Sequence, residues 1–227
     1  MLLAWTVGFL IGVLLWTFRL VGLVKVVGSA PWKFRADPGQ GLLVIYRHPS
    51  MKEVLAVPSL FFPWYLLNRD RIPFQTPDLG NYYAPWWMAP LRSVLIPVER
   101  GSPVREARSF VRMRSHLRSG GTLAIAPEGG RTWKGEEFKM LTREGEIIIV
   151  PALEGARPNL KKPILRRFKS GVGKLAADGV PVLPIWVEPR WKYGLRIVVG
   201  EPVTFDVLPG REITEHLEDI MLQLAER

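Results

Sequence analysis

Residues 41–53 read GLLVIYRHPSMKE, and the fold is read outward from them. Leu42 to Tyr46 read as a buried strand. It stops at Arg47 and His48, because Pro49 removes a backbone donor and bars the helical region to the residue before it. Ser50 then reads as a helix N-cap with Glu53 three residues on. An imidazole and a carboxylate are therefore held where a strand hands over to a helix, a place where α/β proteins often do chemistry. Two readings of the pair stay open. Glu53 either closes a capping box onto Ser50 while His48 faces water, or fixes one ring nitrogen of His48 so that the other can act as a general base.

Toward the N-terminus, the first eighteen residues, MLLAWTVGFLIGVLLWTF, carry no charged side chain. As a helix they would reach roughly 27 Å, close to the hydrocarbon thickness of a bilayer. A secretory signal would begin with a positive region, and none precedes this run. The cations follow it at Arg19, Lys25, Lys33 and Arg35, which places the remaining chain on the cytoplasmic face of the membrane. Residues 1–30 are thus expected to be a membrane-associating helix outside the core, spanning the bilayer or lying in its interface. Residues 31–227 are expected to form one catalytic domain.

Toward the C-terminus the expected elements alternate. A helix over 51–67, interrupted by Pro58 and Pro63, leads into an aromatic-rich stretch containing Tyr82, Tyr83, Trp86, Trp87 and Met88. A strand over 94–98 ends at Glu99, Arg100 and Gly101, and a helix over 103–118 follows with Pro103 in its first turn. A strand over 122–126 runs into Pro127-Glu128-Gly129-Gly130-Arg131-Thr132. Residues 133–167 look like an insert containing a strand over 147–150. Phe168-Lys169-Ser170-Gly171 open a short helix, and strands over 180–187 and 195–199 and a helix over 211–225 complete an α/β pattern. His116 reads as a surface residue of the basic 103–118 helix.

Composition narrows the chemistry. The 227 residues include no cysteine, which removes disulfides and thiolate catalysis, and the three histidines at 48, 116 and 216 have no metal-ligand spacing. A net charge of +10 calls for an anionic partner, and with the apolar N-terminus a phospholipid surface is favoured over nucleic acid.

Four of these stretches together resemble the glycerolipid acyltransferase family typified by 1-acylglycerol-3-phosphate acyltransferases. Its histidine and acidic residue five positions on, the HX4D/E motif, appear as His48 and Glu53. The apolar strand closing on an arginine appears as Val94 to Gly101 with Arg100, and the Pro-Glu-Gly-x-Arg-Ser/Thr turn as Pro127 to Thr132. The fourth block appears as Phe168-Lys169-Ser170-Gly171 followed by Gly179-Val180-Pro181-Val182-Leu183-Pro184. Two departures stand out: the acidic residue is usually aspartate, and about 25 extra residues precede the fourth block.

The resemblance implies a mixed, mostly parallel sheet flanked by helices, and transfer of an acyl group from acyl-CoA or acyl carrier protein to a lysophospholipid hydroxyl, with no cofactor and no nucleic acid. It further implies that His48 acts as base and Glu53 orients it. Arg100 and Arg131 would hold the acceptor's phosphate, Glu128 would orient Arg131 or an acceptor hydroxyl, and Lys169 would meet the donor's phosphates. The Gly129-Gly130 turn, ending at Thr132, would offer backbone donors to the oxyanion. Two other readings keep the same residues: a different acceptor, such as a lyso-aminolipid or glycolipid, or a non-catalytic basic protein anchored on anionic lipid.

Overall fold

A computed structural model describes residues 2–29, 39–68, 72–152, 158–190, 194–206 and 208–227. Most of the basic connector expected over 31–39 lies outside them. The centre of the fold is β2 (Leu42–Tyr46), buried at every position, as its unbroken apolar run requires. β4 (Thr122–Ile125) pairs parallel on one side of it and β8 (Val182–Pro189) parallel on the other. A two-residue β3 (Phe74–Gln75) extends the sheet beyond β4. Beyond β8 the direction reverses in β9 (Leu195–Val199), and β1 (Val24–Gly28) pairs parallel to β9 at the edge. The result is a six-stranded, mixed, mostly parallel sheet in the order β1-β9-β8-β2-β4-β3.

Alternate residues of β2 point to opposite faces, and each face has its own core. Leu43 and Ile45 join a cluster with Leu117 of α4 (Pro103–Arg118), Val172 and Leu175 of α5 (Gly171–Ala176), and Ile213 and Leu217 of α6 (Gly210–Leu224). Leu42, Val44 and Tyr46 join the other, with Ala56 and Val57 of α2 (Glu53–Ser59) and with Phe61, Phe62 and Tyr65. Tyr65 belongs to the short α3 (Trp64–Leu67), so the helix expected over 51–67 is two helices.

The N-terminus departs from expectation. α1 (Leu2–Leu20) is helical, but among the described residues no helix is long and apolar enough to cross a membrane. The spanning form of the expected membrane helix is therefore not found. Nor are residues 1–30 outside the core. Leu15 packs on the α2 side of the sheet, Tyr65 Oη donates to the Gly8 carbonyl at 2.6 Å, and Gly12 lies so close to Phe62 that a Cβ would sit 2.5 Å from the ring. Val24 is a core residue of the edge strand β1. A strand after an apolar helix was not legible because its partner among the described residues, β9, lies about 170 residues later.

Two further expectations change. The strand expected over 94–98 is reduced to single bridges, Gln75 with Leu95 and Asp78 with Val98, and residues 86–94 wind as a 3-10 helix. The insert over 133–167 is more regular than expected. β5 (Glu137–Leu141) stands between β6 (Ile147–Pro151) and β7 (Ile164–Arg166) in an antiparallel three-stranded sheet. It is held to α6 by Lys139, whose Nζ lies 2.8 Å from Asp219 and 3.1 Å from Glu218.

Candidate active site

Because β2 and β4 are parallel, the turns after them open at one edge of the sheet, and two of the motif segments meet there. His48 Nδ1 lies 2.6 Å from Glu53 Oε1. Glu53 has no exposed surface, whereas His48 keeps 15% of its side chain accessible. The same carboxylate accepts from the Ser50 backbone at 2.9 Å and from the Ser50 hydroxyl at 2.6 Å. The two readings of Glu53 are thus not alternatives: it bonds Ser50 and His48 together. Ser50 is not the N-cap, however, since α2 starts directly at Glu53 behind Lys52.

Burial pushes the Glu53 carboxyl up, but the hydrogen bonds from His48 and Ser50 outweigh it and hold the group below the usual carboxylate range. An ionised carboxylate can only accept, so His48 Nδ1 donates in this contact, and in the neutral ring Nε2 is then the basic nitrogen. That is the tautomer a general base needs. Tyr46 Oη donates to Gln75 Oε1 at 3.2 Å, and the Gln75 amide donates to the Val54 carbonyl, which fastens the first turn of α2 to the sheet.

Glu128 does not take the expected place beside Arg131 or an acceptor hydroxyl. It is fully buried, and its Oε1 accepts from the His48 backbone N–H at 2.7 Å and from the Thr132 hydroxyl at 2.9 Å. Its Oε2 accepts from the Arg166 backbone N–H at 3.2 Å. Thr132, also fully buried, returns a bond from its N–H to the His48 carbonyl at 2.8 Å. Glu128 is thus a staple joining the His48 turn, the glycine turn and β7. Burial pushes its carboxyl up, against the pull of the His48 N–H, Arg47 and Thr132.

The glycine turn is shaped by necessity at one point. Gly129 has φ of +66°, a left-handed conformation, and its N–H is already given to the Ala126 carbonyl at 3.2 Å. As an oxyanion donor it is therefore committed elsewhere. The Lys169 side chain comes within 3.1 Å of where a Gly129 Cβ would stand, and the Lys169 N–H donates to the Pro127 carbonyl at 2.9 Å, so the fourth motif reaches the third. Gly130 lies under the Arg166 guanidinium.

The two arginines expected to hold phosphate are not drawn into this frame. Arg131 lies over the Trp133 ring, 5.6 Å from its centroid. Arg100 is exposed and makes a 3.7 Å ion pair with Asp78.

Two residues of the site escaped sequence reading. Arg166 was only part of a basic run, and nothing local marks its contact with Gly130. Arg47, next to His48, is fully buried with its guanidinium 4.3 Å from the Trp186 ring. It donates to the carbonyls of Leu160 at 3.0 Å and Val187 at 3.2 Å, pinning the insert against the end of β8. Burial pushes it down to about 10, opposed by Glu128, Glu188 and Glu53. Its position directly after a buried strand was the one available signal. His116 is likewise not a surface residue: its ring stacks on Phe74 at 4.1 Å, and Nε2 lies 3.1 Å from the Thr122 carbonyl.

A histidine hydrogen-bonded to a buried carboxylate, beside a glycine turn, is an arrangement that hydrolases and transferases can use for proton transfer. The comparisons with known proteins select within that class. Residues 37–188, about two thirds of the chain, match the family model described as Acyltransferase, so the chain belongs to the acyltransferase family and is an O-acyltransferase by class. Its fold is similar to that of the 1-acyl-sn-glycerophosphate (LPA) acyltransferase PlsC from Thermotoga maritima. The TM-score is 0.57 at 18% identity, covering 91% of this chain and 72% of that one. No curated protein matches the sequence.

Proposed function

We propose that this acyltransferase moves a fatty acyl group from a thioester to the free hydroxyl of 1-acylglycerol-3-phosphate, giving phosphatidic acid. The observation that carries the reading is the 2.6 Å contact between His48 Nδ1 and the buried Glu53. His48 Nε2 takes the hydroxyl proton as the oxygen attacks the thioester carbonyl. The carbon–sulfur bond breaks as the carbon–oxygen bond forms, and the proton leaves on the thiol. Glu53 stays ionised and stabilises the transient imidazolium, so no covalent enzyme intermediate is required. The low identity of the solved relative supports the fold alone, so the acceptor rests on chemistry: Arg100 and Arg131 are accessible cations near the motif turns, suited to a phosphate.

The enzyme works from a membrane surface in this reading. α1 lies along the domain with Leu10, Leu14, Phe18 and Leu20 exposed, and Trp86, 85% exposed, sits in the 86–94 segment that packs beside it. Such a patch suits the interfacial zone of a leaflet. Incubating the purified protein with a labelled acyl-CoA or acyl carrier protein and a panel of lysolipids tests the function. Labelled phosphatidic acid from the wild type, lost in His48→Ala, supports it. Transfer only to acceptors without phosphate would point instead to a lyso-aminolipid or glycolipid.

A further inference from the structure

The helix α4 carries five arginines, at 105, 108, 112, 114 and 118, against one acid, Glu106. Two of them have a partner within the fold: Arg114 and Arg118 converge on Asp178, at 2.5 Å and 3.4 Å. Arg105, Arg108 and Arg112 are exposed and form no ion pair among the described residues. Their spacing of three and four residues puts them on one face of the helix, where like charges one turn apart repel. Val104 and Val111, each 63% exposed, lie on either side of Arg108, four and three residues from it. The inward face is made by Ser109, Phe110, Met113 and Leu117, so nothing among the described residues uses the outward one.

The position of the helix restricts what could cover it. Its C-terminal end packs at the start of β2, where a Cβ on Gly41 would sit 2.2 Å from the Leu117 carbonyl oxygen. Its N-terminal end follows the Arg100 loop, and the Glu99 N–H donates to Ser109 at 3.2 Å. α4 therefore runs antiparallel to β2, and Arg105 and Arg108 lie toward the edge that holds His48. α4 also covers the sheet face opposite to the one that Leu15 of α1 joins. A leaflet against α1 leaves the outer face of α4 turned to the aqueous phase. The patch thus calls for a soluble acidic partner able to reach the His48 edge.

We propose, resting on the acyl-transfer reading, that Arg105, Arg108 and Arg112 with Val104 and Val111 dock the acidic helical surface of a carrier protein that delivers the acyl thioester on a flexible arm. Arginines flanking exposed valines offer charge steering around an apolar contact. Acyl-CoA, a small anion with no such surface, does not need the patch.

The test is the triple reversal Arg105→Glu, Arg108→Glu, Arg112→Glu, none of which touches the His48 frame. Binding of fluorescently labelled acyl carrier protein is measured by anisotropy, and transfer is measured from acyl carrier protein and from acyl-CoA carrying the same chain. The reversal is expected to weaken carrier binding and carrier-dependent kcat/KM by about tenfold or more, with acyl-CoA transfer within about twofold of wild type. Wild-type carrier binding should also weaken as salt is raised. Equal loss with both donors, unchanged carrier binding, or a loss that appears only in binding to anionic vesicles would each overturn the proposal. If the wild type transfers from neither donor, the acyl-transfer reading fails, while the anisotropy measurement still decides whether an acidic carrier docks on α4.

Discussion

The turn around His48 and the basic rim of Arg100, Arg131 and Lys169, which the proposed function assigns to substrate, are built in opposite ways. In the turn, Glu53, Glu128 and Thr132 have no exposed surface, and hydrogen bonds of 2.6 to 2.8 Å hold the His48 ring, its N–H and its carbonyl. In the rim Arg100 and Lys169 are exposed and Arg131 is half-buried, with Arg131 over the Trp133 ring and Arg100 beside Asp78. The difference separates two tasks. A proton-transferring group gains from a fixed geometry prepared before substrate arrives, whereas groups that meet a charged substrate must stay accessible to it.

The contrast is open to attack at its strongest point first. His48→Ala removes the base but leaves the backbone bonds to Glu128 and Thr132, so turnover should fall about 100- to 10,000-fold with little change in melting temperature. Full activity in a preparation free of host enzyme would break the assignment. Glu128→Ala strips the acceptor from three buried or half-buried donors, at about 1–3 kcal/mol for each one left unpaired away from water. Denaturant titration should therefore show a large loss of stability, and activity should fall with it. A variant that is stable yet inactive would return Glu128 to a direct role with substrate.

Glu53→Asp sharpens the comparison. The longer side chain reaches His48 and both donors of Ser50 at once, so a carboxylate one methylene shorter cannot keep all three contacts. Activity should drop about tenfold or more, less than for His48→Ala. Retained or increased activity would mean that the site tolerates either acid. Glu53 also links stability to pH. Its folded pKa is held below the ordinary value of 4.5, so its contribution is present above that value and is lost as pH falls through the folded pKa. Glu53→Gln should flatten the fall in stability below about pH 4.5, measured by thermal melts across the acid range.

The rim should show the smallest structural effects. Arg100→Lys and Arg131→Lys should leave stability within about 0.5 kcal/mol while raising the acceptor KM more than the donor KM, because a point charge cannot replace a planar fork. A change confined to the donor KM would move these arginines to the donor side. On the membrane face, Leu10→Lys with Leu14→Lys should reduce vesicle binding. Deleting residues 1–30 is not equivalent, since it would uncover Phe62 and Tyr65 and leave β9 without β1.

Much of this architecture was legible in the chain. The run Leu42 to Tyr46 ended by Pro49, the helix over 103–118 opened by Pro103, and the five-residue step from His48 to Glu53 are local signals, decided by residues close in sequence. The strand-end position of the His48 and Glu128 turns followed from the same punctuation, whereas the class of chemistry came from the family resemblance. What the chain could not show alone depended on partners far away. β1 exists because β9 accepts it, the insert is a sheet because β5 finds both β6 and β7, and Glu128 is a staple because folding places the backbone of His48 and Arg166 within 3.2 Å of it. Arg47 and Arg166 became part of the site for the same reason. A side chain's chemistry is set by its type, but whether it faces substrate or the protein's own backbone is set by contacts that only the closed fold brings together.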